Sequence, residues 1–315
     1  MRDVNEETTD RRELLARAAR AGAVLPVLGL TAASARSEDG GEETPPFRIS
    51  LAQWSLHRML RSGRLDPLDF PGFAKEEFGI GAVEYVNQFF ADRAGDFAWL
   101  GELRRRADAH GVKSLLIMVD GEGSLGDADD ERRRVAVENH FKWIAAAAFL
   151  GGRAIRVNAH GLGPREEIAA RAADSLARLA RVAETYDVDV LVENHGGPSS
   201  DGAWLAGTLA RAGHPRVGAL PDFGNFHVGN GEWYDRYRGV GELMPFARAV
   251  SAKSHAFDAE GNETRTDYRR MMRIVLDAGY RGHVGIEYEG DELSEVEGVR
   301  ATQRLLERVR AERRG

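Results

Sequence analysis

The chain contains no cysteine. Disulfides, thiolate zinc sites and cysteine nucleophiles are therefore excluded, and a metal ion would have to be held by Asp, Glu or His. An excess of basic charge is also lacking, because 43 Lys and Arg stand against 50 Asp and Glu, a formal net charge of −7. A protein that binds nucleic-acid backbone normally presents a basic face. We therefore predict no nucleic-acid partner.

Long hydrophobic runs are scarce. The candidate run, residues 21–33, is too short to span a membrane comfortably, and no later segment qualifies, so we predict no membrane span in the mature chain. The run follows the pair Arg11 and Arg12 and precedes the small residues Ala33-Ser34-Ala35. This order is similar to that of a twin-arginine export signal, although five Arg and five Asp or Glu make residues 1–35 neutral. We predict a signal peptide over 1–35, a polar linker over 36–46, and an exported protein; an amphipathic helix with a chance arginine pair is the alternative.

From residue 47 onward, short apolar runs alternate with longer helical patterns, which is typical of parallel βα units. Candidate strands cover residues 47–55, 82–88, 112–120, 153–160, 188–195, 216–223, 247–255 and 282–289. Candidate helices cover residues 66–78, 95–110, 130–150, 165–186, 202–213, 233–246, 264–279 and 293–313. Eight such units predict a single-domain (β/α)8 TIM barrel over 47–315. No glycine-rich dinucleotide fingerprint follows the first strand, which disfavours an open, doubly wound sheet.

Metal-capable side chains follow four successive strands of the predicted barrel. Strand 5 ends at Glu193, strand 6 at Asp222, strand 7 at His255 and strand 8 at Glu287. Functional groups of a (β/α)8 barrel lie at the carboxyl ends of its strands, so these four should meet. A shared divalent ion would explain why a buried strand ends in Glu193, since an unpaired buried carboxylate is costly. Such an oxygen-rich set suits Mn²⁺ or Mg²⁺ and tolerates Zn²⁺, Co²⁺ or Fe²⁺.

The motifs ENHGG, PDFGNFH, AKSHAFD and GIEYEG on strands 5 to 8 resemble the xylose isomerase-like barrel superfamily, which includes sugar isomerases, sugar epimerases and endonuclease IV. The resemblance implies that Glu193, Asp222 and Glu287 are metal ligands, and that Glu193 and Glu287 are also the acid/base catalysts. Strand 7 departs from the pattern, because Ser251 stands where the sugar epimerases usually have histidine, two residues before Lys253. His255 lies on the same strand face, and we assign it as the fourth ligand, with Ser251 and Lys253 as alternatives for that position.

A second group of residues is expected to line the substrate mouth. The candidate substrate-binding residues are Trp54, Glu84, Arg156, Asn158, His160, His195, His227 and Lys253. Each also has a structural interpretation. Glu193 could simply pair with Arg156, Asp222 could be a turn residue before Gly224, His255 could be an ordinary loop histidine, and Trp54 suits packing at least as well as a sugar platform.

Together these features predict an enzyme with one divalent ion (Mn, Mg, Zn or Co) that isomerises or epimerises a small carbohydrate by enolising a ketose or aldose. A metal-dependent lyase or hydrolase acting on a keto-glycoside would use the same chemistry. A non-catalytic sugar-binding barrel is a further alternative. An endonuclease IV-like enzyme needs additional histidines after strands 2 and 3, where this chain has Tyr85, Asn87 and Asp120. An oligomer is possible.

The export prediction can be tested with one double substitution. Replacing Arg11 and Arg12 with Lys should leave full-length precursor in the cytoplasm, because the paired guanidinium groups are the feature that the export receptor would read. Fractionation followed by mass determination of the mature N-terminus measures this. Secretion at the wild-type level would show that the arginine pair is not an export signal.

Overall fold

The computed structural model describes residues 45–313. The expected signal peptide, 1–35, and most of the expected linker lie outside the described residues. Within them, the chain forms one sheet of eight strands, each followed by a helix, as predicted. The strands are β1 (Arg48–Ala52), β2 (Ala82–Val86), β3 (Lys113–Met118), β4 (Ala154–Val157), β5 (Asp189–Glu193), β6 (Val217–Leu220), β7 (Val250–Ser254) and β8 (His283–Tyr288).

One main helix follows each strand. These helices are α1 (Phe70–Phe78), α2 (Phe97–Ala109), α3 (Asp130–Phe149), α4 (Arg165–Glu184), α5 (Gly202–Ala212), α6 (Arg236–Leu243), α7 (Tyr268–Asp277) and α8 (Glu295–Glu312). Strands are shorter than predicted mainly at their carboxyl ends, where the backbone leaves the ladder. After β5, for example, the buried Asn194 is bonded to the loop that follows β6 instead of extending the strand. Asn194 and Asp222 are among the site residues that follow a strand in this way, whereas Glu193 and Glu287 remain within β5 and β8.

The eight strands are parallel and their ladder runs in the order β6-β5-β4-β3-β2-β1-β8-β7. The two end strands meet through isolated parallel bridges, Ala219 with Ala247 and Asp222 with Ser251. Ser251 N donates to Pro221 O at 2.9 Å, and Phe223 N donates to Ser251 O at 3.1 Å. The sheet is therefore curled into a barrel, and its seam lies between β6 and β7.

Strand alternation separates two apolar layers. On β5, Val190 and Val192 join the large core between the sheet and the helices, whereas Leu191 joins a small cluster inside the barrel. Trp143 of α3 is fully buried in the outer layer. No helix of residues 45–313 is both long enough and apolar enough to cross a bilayer. The outer layer carries most of the apolar burial, which leaves the upper barrel interior available for polar side chains.

A β-hairpin precedes α6, where the sequence had been expected to start a helix at residue 233. Its strands are His227–Gly229 and Glu232–Trp233. The turn residues Asn230 and Gly231 have φ values of 52° and 77°, which suit the Asn-Gly turns of two-residue hairpins. The helix itself begins after Asp235, whose side chain accepts a hydrogen bond from Arg238 N at 2.8 Å. The hairpin belongs to the loops at the carboxyl ends of the strands.

Gly285 of β8 gives the most specific packing prediction. A Cβ atom there would lie 2.6 Å from Glu84 Oε1 and 2.8 Å from Oε2. The carboxylate cannot move freely because it is buried and bonded to Ser50. Gly285→Ala should therefore cost about 1–3 kcal/mol of unfolding free energy, measured by urea denaturation.

Gly207→Ala is the matched control. Gly207 lies inside α5, and nothing lies within 4 Å of its Cβ position. This variant should be stabilised by about 0.5–1 kcal/mol, because alanine has the higher helix propensity. Equal effects of the two substitutions would contradict the close approach of Glu84 to β8.

Candidate active site

Three carboxylates meet at the carboxyl end of the barrel, as predicted from the strand order. Glu193 ends β5, Asp222 follows β6 and Glu287 lies on β8, and each offers an oxygen within 4.8 Å of the others. Their exposed fractions are 1%, 0% and 5%. Burial raises the pKa of Glu193 and of Asp222 to about 7. The three groups thus form a concentration of negative charge that water does not stabilise.

Two buried cations lie beside this group. Arg156 Nε of β4 is 2.9 Å from Glu193 Oε2, and Lys253 Nζ of β7 is 2.6 Å from Glu287 Oε1. Burial by itself would lower the pKa of Lys253, but Glu287 and Asp222 outweigh it and raise that pKa well above its ordinary value. The ion pair with Arg156, which was the structural alternative for Glu193, is present, and Glu193 also belongs to the carboxylate group.

Each cation also contacts a further carboxylate. Arg156 donates from Nη1 to Asp120 Oδ1 at 2.7 Å, and Lys253 Nζ is 3.1 Å from Glu289 Oε2. Burial opposes ionisation of Asp120, yet Arg156 more than offsets this and lowers its pKa. Five carboxylates therefore share two cations at this end of the barrel. Carboxylates therefore outnumber the buried cations around the site.

Ser251 lies between two of the three carboxylates. Its Oγ is 2.6 Å from Asp222 Oδ2 and 3.0 Å from Glu287 Oε2. On the other side of the group, Asn225 Nδ2 donates to Glu193 Oε1 at 2.8 Å. Sequence reasoning missed Asn225; its place three residues after Asp222 in PDFGNFH was the available signal.

The loop that carries Asp222 is fixed by local hydrogen bonds. Asp222 Oδ1 accepts from Gly224 N and Asn225 N, both at 2.8 Å, as in a polar turn. Asn194 accepts from Asp222 N at 2.8 Å and donates back to its carbonyl at 3.0 Å. A Cβ at position 224 would lie 2.7 Å from Lys253 Cγ, so glycine is required there. Asp222 is thus both a turn residue and a member of the site.

His255, the expected fourth ligand, is not part of the convergent group, which within residues 45–313 consists of carboxylates alone. It directly follows β7 and is partly exposed, and its backbone N donates to Glu263 Oε1 at 3.1 Å. Burial, together with the nearby Arg265, lowers its pKa to about 4. Its assignment as a ligand remains a prediction.

Polar side chains form a rim above the carboxylates. His195 Nδ1 is 3.1 Å from Asn158 Oδ1, and His160 Nε2 is 2.8 Å from His195 O. Asn158 also donates to Asp120 Oδ1 at 2.6 Å. Burial lowers the pKa of His160 and of His195, so both imidazoles are neutral near pH 7. Three of the expected substrate-binding residues are therefore together at the mouth.

Trp54 and His227 occupy the edge of this region. Trp54 stacks on His57 at 5.0 Å and its indole N–H donates to Glu289, so packing and hydrogen bonding use both its ring and its nitrogen. His227 is exposed on the hairpin, with its ring 5.3 Å from that of Trp233. Neither side chain is hydrogen-bonded to one of the three carboxylates.

Glu84 lies deeper than expected. It was predicted to line the substrate mouth, but it is in the middle of β2, is 1% exposed and accepts from Ser50 Oγ at 2.6 Å. It borders a cavity of about 530 Å³ at the opposite end of the barrel, which Arg48 and Lys113 also line. Its second oxygen has no hydrogen-bond partner among the described residues. Burial raises its pKa to about 7.

A family model described as xylose isomerase-like TIM barrel matches residues 74–309 of the chain. No curated protein matches the sequence. Many solved structures share the fold. One is the apo form of 3-keto-D-glucoside 4-epimerase YcjR from E. coli, with 15% identity, a TM-score of 0.63, and coverage of 83% of this chain and 99% of that one.

Two further neighbours have similar scores. The protein IOLI with a bound zinc atom has 14% identity and a TM-score of 0.66, covering 84% of this chain and 99% of its own. The probable 3-DHS dehydratase AsbF from Bacillus anthracis has 15% identity and a TM-score of 0.61, covering 82% and 98%. At these identities the neighbours show the fold, while the reaction must be argued from the site.

The buried carboxyl of Glu84 predicts a pH-dependent stability. Its pKa is about 7 in the folded chain against an ordinary value of 4.5, so folding favours its protonated form. The stabilisation it gives is complete below its unfolded-state pKa and is lost as the pH rises to about 7. In Glu84→Gln this loss should be absent, so the variant should gain stability relative to wild type between about pH 5 and 7, by at most about 1.4 kcal/mol per pH unit.

Urea unfolding of both proteins across this pH range measures the difference. Glu307→Gln, an exposed position on α8, serves as the control and should run parallel to wild type. Parallel curves for Glu84→Gln as well would show that Glu84 ionises normally in the folded protein.

Proposed function

Because the chain belongs to the xylose isomerase-like TIM-barrel family, we propose that it is a divalent-metal-dependent sugar isomerase or epimerase. It would act by enolisation of a ketose or an aldose. The main observation in support is that three buried carboxylates, each from a different strand or the loop after it, have oxygens within 4.8 Å of one another. Such a group is costly unless a cation offsets its charge.

The residues present fit a divalent ion. With all five carboxylates ionised, the two cations would leave three negative charges in excess at this end of the barrel, and burial raises the pKa of Glu193 and Asp222 accordingly. Each carboxylate oxygen has about two acceptor sites, so the bonds from Asn225 and Ser251 leave room for an ion. Glu193, Asp222 and Glu287 would hold it. The zinc atom of the structural neighbour IOLI is compatible with this assignment.

A bound ion would polarise a carbonyl and a neighbouring hydroxyl of the sugar, which acidifies the carbon-bound proton between them. Glu193 and Glu287 approach from β5 and β8, and they would remove that proton and return it. Lys253 donates to Glu287 Oε1, and Arg156 pairs with Glu193 Oε2. These cations orient the two carboxylates before the substrate arrives.

The rim favours a neutral, hydroxylated substrate. His160 and His195 are neutral near pH 7 and offer hydrogen-bond donors and acceptors, as does Asn158. The cations Arg156 and Lys253 are buried and paired with carboxylates. Neither is therefore free to bind a phosphate group of a substrate. The neighbour named as a 3-keto-D-glucoside 4-epimerase supports a free or glycosidic sugar. Export, which we also propose, would agree with a non-phosphorylated substrate.

A lyase is the second candidate, and the neighbour named as a probable dehydratase supports it. Elimination begins with the same proton abstraction and differs only in the loss of a leaving group from the next carbon. The site favours neither outcome, but the two give different products. Product identification therefore decides between them.

Solvent-deuterium uptake tests the proposal. Wild-type protein with saturating Mn²⁺ in D₂O should place deuterium on a sugar carbon, detected by NMR in a screen of free and glycosidic sugars. Glu193→Gln and Glu287→Gln should each lower the rate of uptake by about 10²–10⁴ or more, because each removes one of the two proton-transfer groups.

Glu307→Gln, remote from the site, should exchange at the wild-type rate. A sugar that binds without any exchange in wild type would identify a binding protein and refute the enolisation. Exchange accompanied by an unsaturated product would identify the lyase.

A further inference from the structure

We propose that this chain offers its ion an all-oxygen ligand set, in which the hydroxyl of Ser251 joins the three carboxylates. The inference rests on the proposed function, since it concerns the ion at the same site. It assigns Ser251 as the residue that determines metal specificity. His255 then lies outside the ligand set.

The position of Ser251 supports this assignment. It is bridged to Asp222 across the seam and pairs with Gly285 of β8 in the sheet register. Its Oγ lies between oxygens of Asp222 and Glu287, at 2.6 and 3.0 Å. At 1% exposure it is as buried as the carboxylates themselves. A side chain at this point of β7 therefore reaches two of the three carboxylates.

Nitrogen donors near the group are already committed. The Lys253 ammonium and the Arg156 guanidinium carry their protons and have no lone pair for a metal. Asn225 directs its NH₂ group at Glu193. His195 lies in the rim beside Asn158, and no histidine nitrogen of residues 45–313 joins the carboxylate group. What remains for an ion is oxygen.

Ligand type decides metal preference. Carboxylate, hydroxyl and water oxygens suit Mg²⁺ and Mn²⁺, whereas an imidazole nitrogen adds affinity chiefly for zinc and later transition metals. The wild-type site should consequently prefer zinc over Mn²⁺ by less than a site that contains an imidazole ligand would. A histidine introduced at position 251 should shift the ratio of the two affinities toward zinc.

Calorimetric titration of the metal-stripped, full-length protein with MnCl₂ and with ZnCl₂ tests the inference without any assay of activity. His255→Ala should leave both dissociation constants within about twofold of wild type. Ser251→His should strengthen zinc binding relative to Mn²⁺ by about tenfold or more, the usual scale for a change near one ligand. Ser251→Ala, which removes the hydroxyl without adding a nitrogen, should weaken the binding of both ions and should not shift their ratio toward zinc.

A loss of zinc or Mn²⁺ affinity in His255→Ala would overturn the inference, because it would make His255 a ligand. The His255→Ala titration remains informative even if the larger side chain of Ser251→His prevents folding. An unchanged zinc-to-manganese ratio in folded Ser251→His would overturn it too. Failure of every variant and of wild type to bind either ion would refute the metal dependence of the proposed function as well. Normal binding without deuterium exchange would refute only the proposed reaction.

Discussion

The buried carboxylates inside the barrel must be compensated by positive charge, and the other features of the site depend on this requirement. Glu193, Asp222 and Glu287 are almost completely buried, and burying ionised carboxylates is costly unless other groups stabilise them. Arg156 and Lys253 offset part of the charge and are themselves buried. Neither cation would be stable there alone, so carboxylates and cations depend on one another. The remaining negative charge is the reason why we propose a divalent ion at this site.

Strand geometry supplies these groups without distorting the fold. On each strand, alternate residues face the helices and fill the apolar outer layer, while those between them face the barrel axis. A strand can therefore be Val190-Leu191-Val192 for most of its length and still end in Glu193. The loops beyond the strands add hydrogen bonds such as those of Asn194, which fix Asp222 relative to β5. The site at the carboxyl ends of the strands and the apolar core therefore use different positions of each strand, so the residues of one do not restrict those of the other.

The eight βα units could be predicted because their signal is local: an apolar run, a helical period and a turn. The three carboxylates could be placed together because parallel strands bring their carboxyl ends to one side. Contacts that depend on how far a side chain reaches were harder to predict from the sequence. Glu84 was expected at the mouth, but its depth depends on strand register and on Ser50. Asn225 was missed because its contact with Glu193 requires the exact path of a loop. His255 shares a strand face with Ser251 and Lys253, but alternation alone does not say whether it reaches the carboxylates.

The seam of the barrel runs through the site. Strands β6 and β7 meet only through isolated bridges, so this is the least continuous part of the ladder. Asp222 lies on one side of it, and Ser251 and Lys253 lie on the other. A ligand held by residues on both sides would join the two edges and oppose their local separation. Binding of the proposed ion and closure of the barrel would therefore be thermodynamically linked, so the ion would act as a structural cross-link as well as a chemical participant.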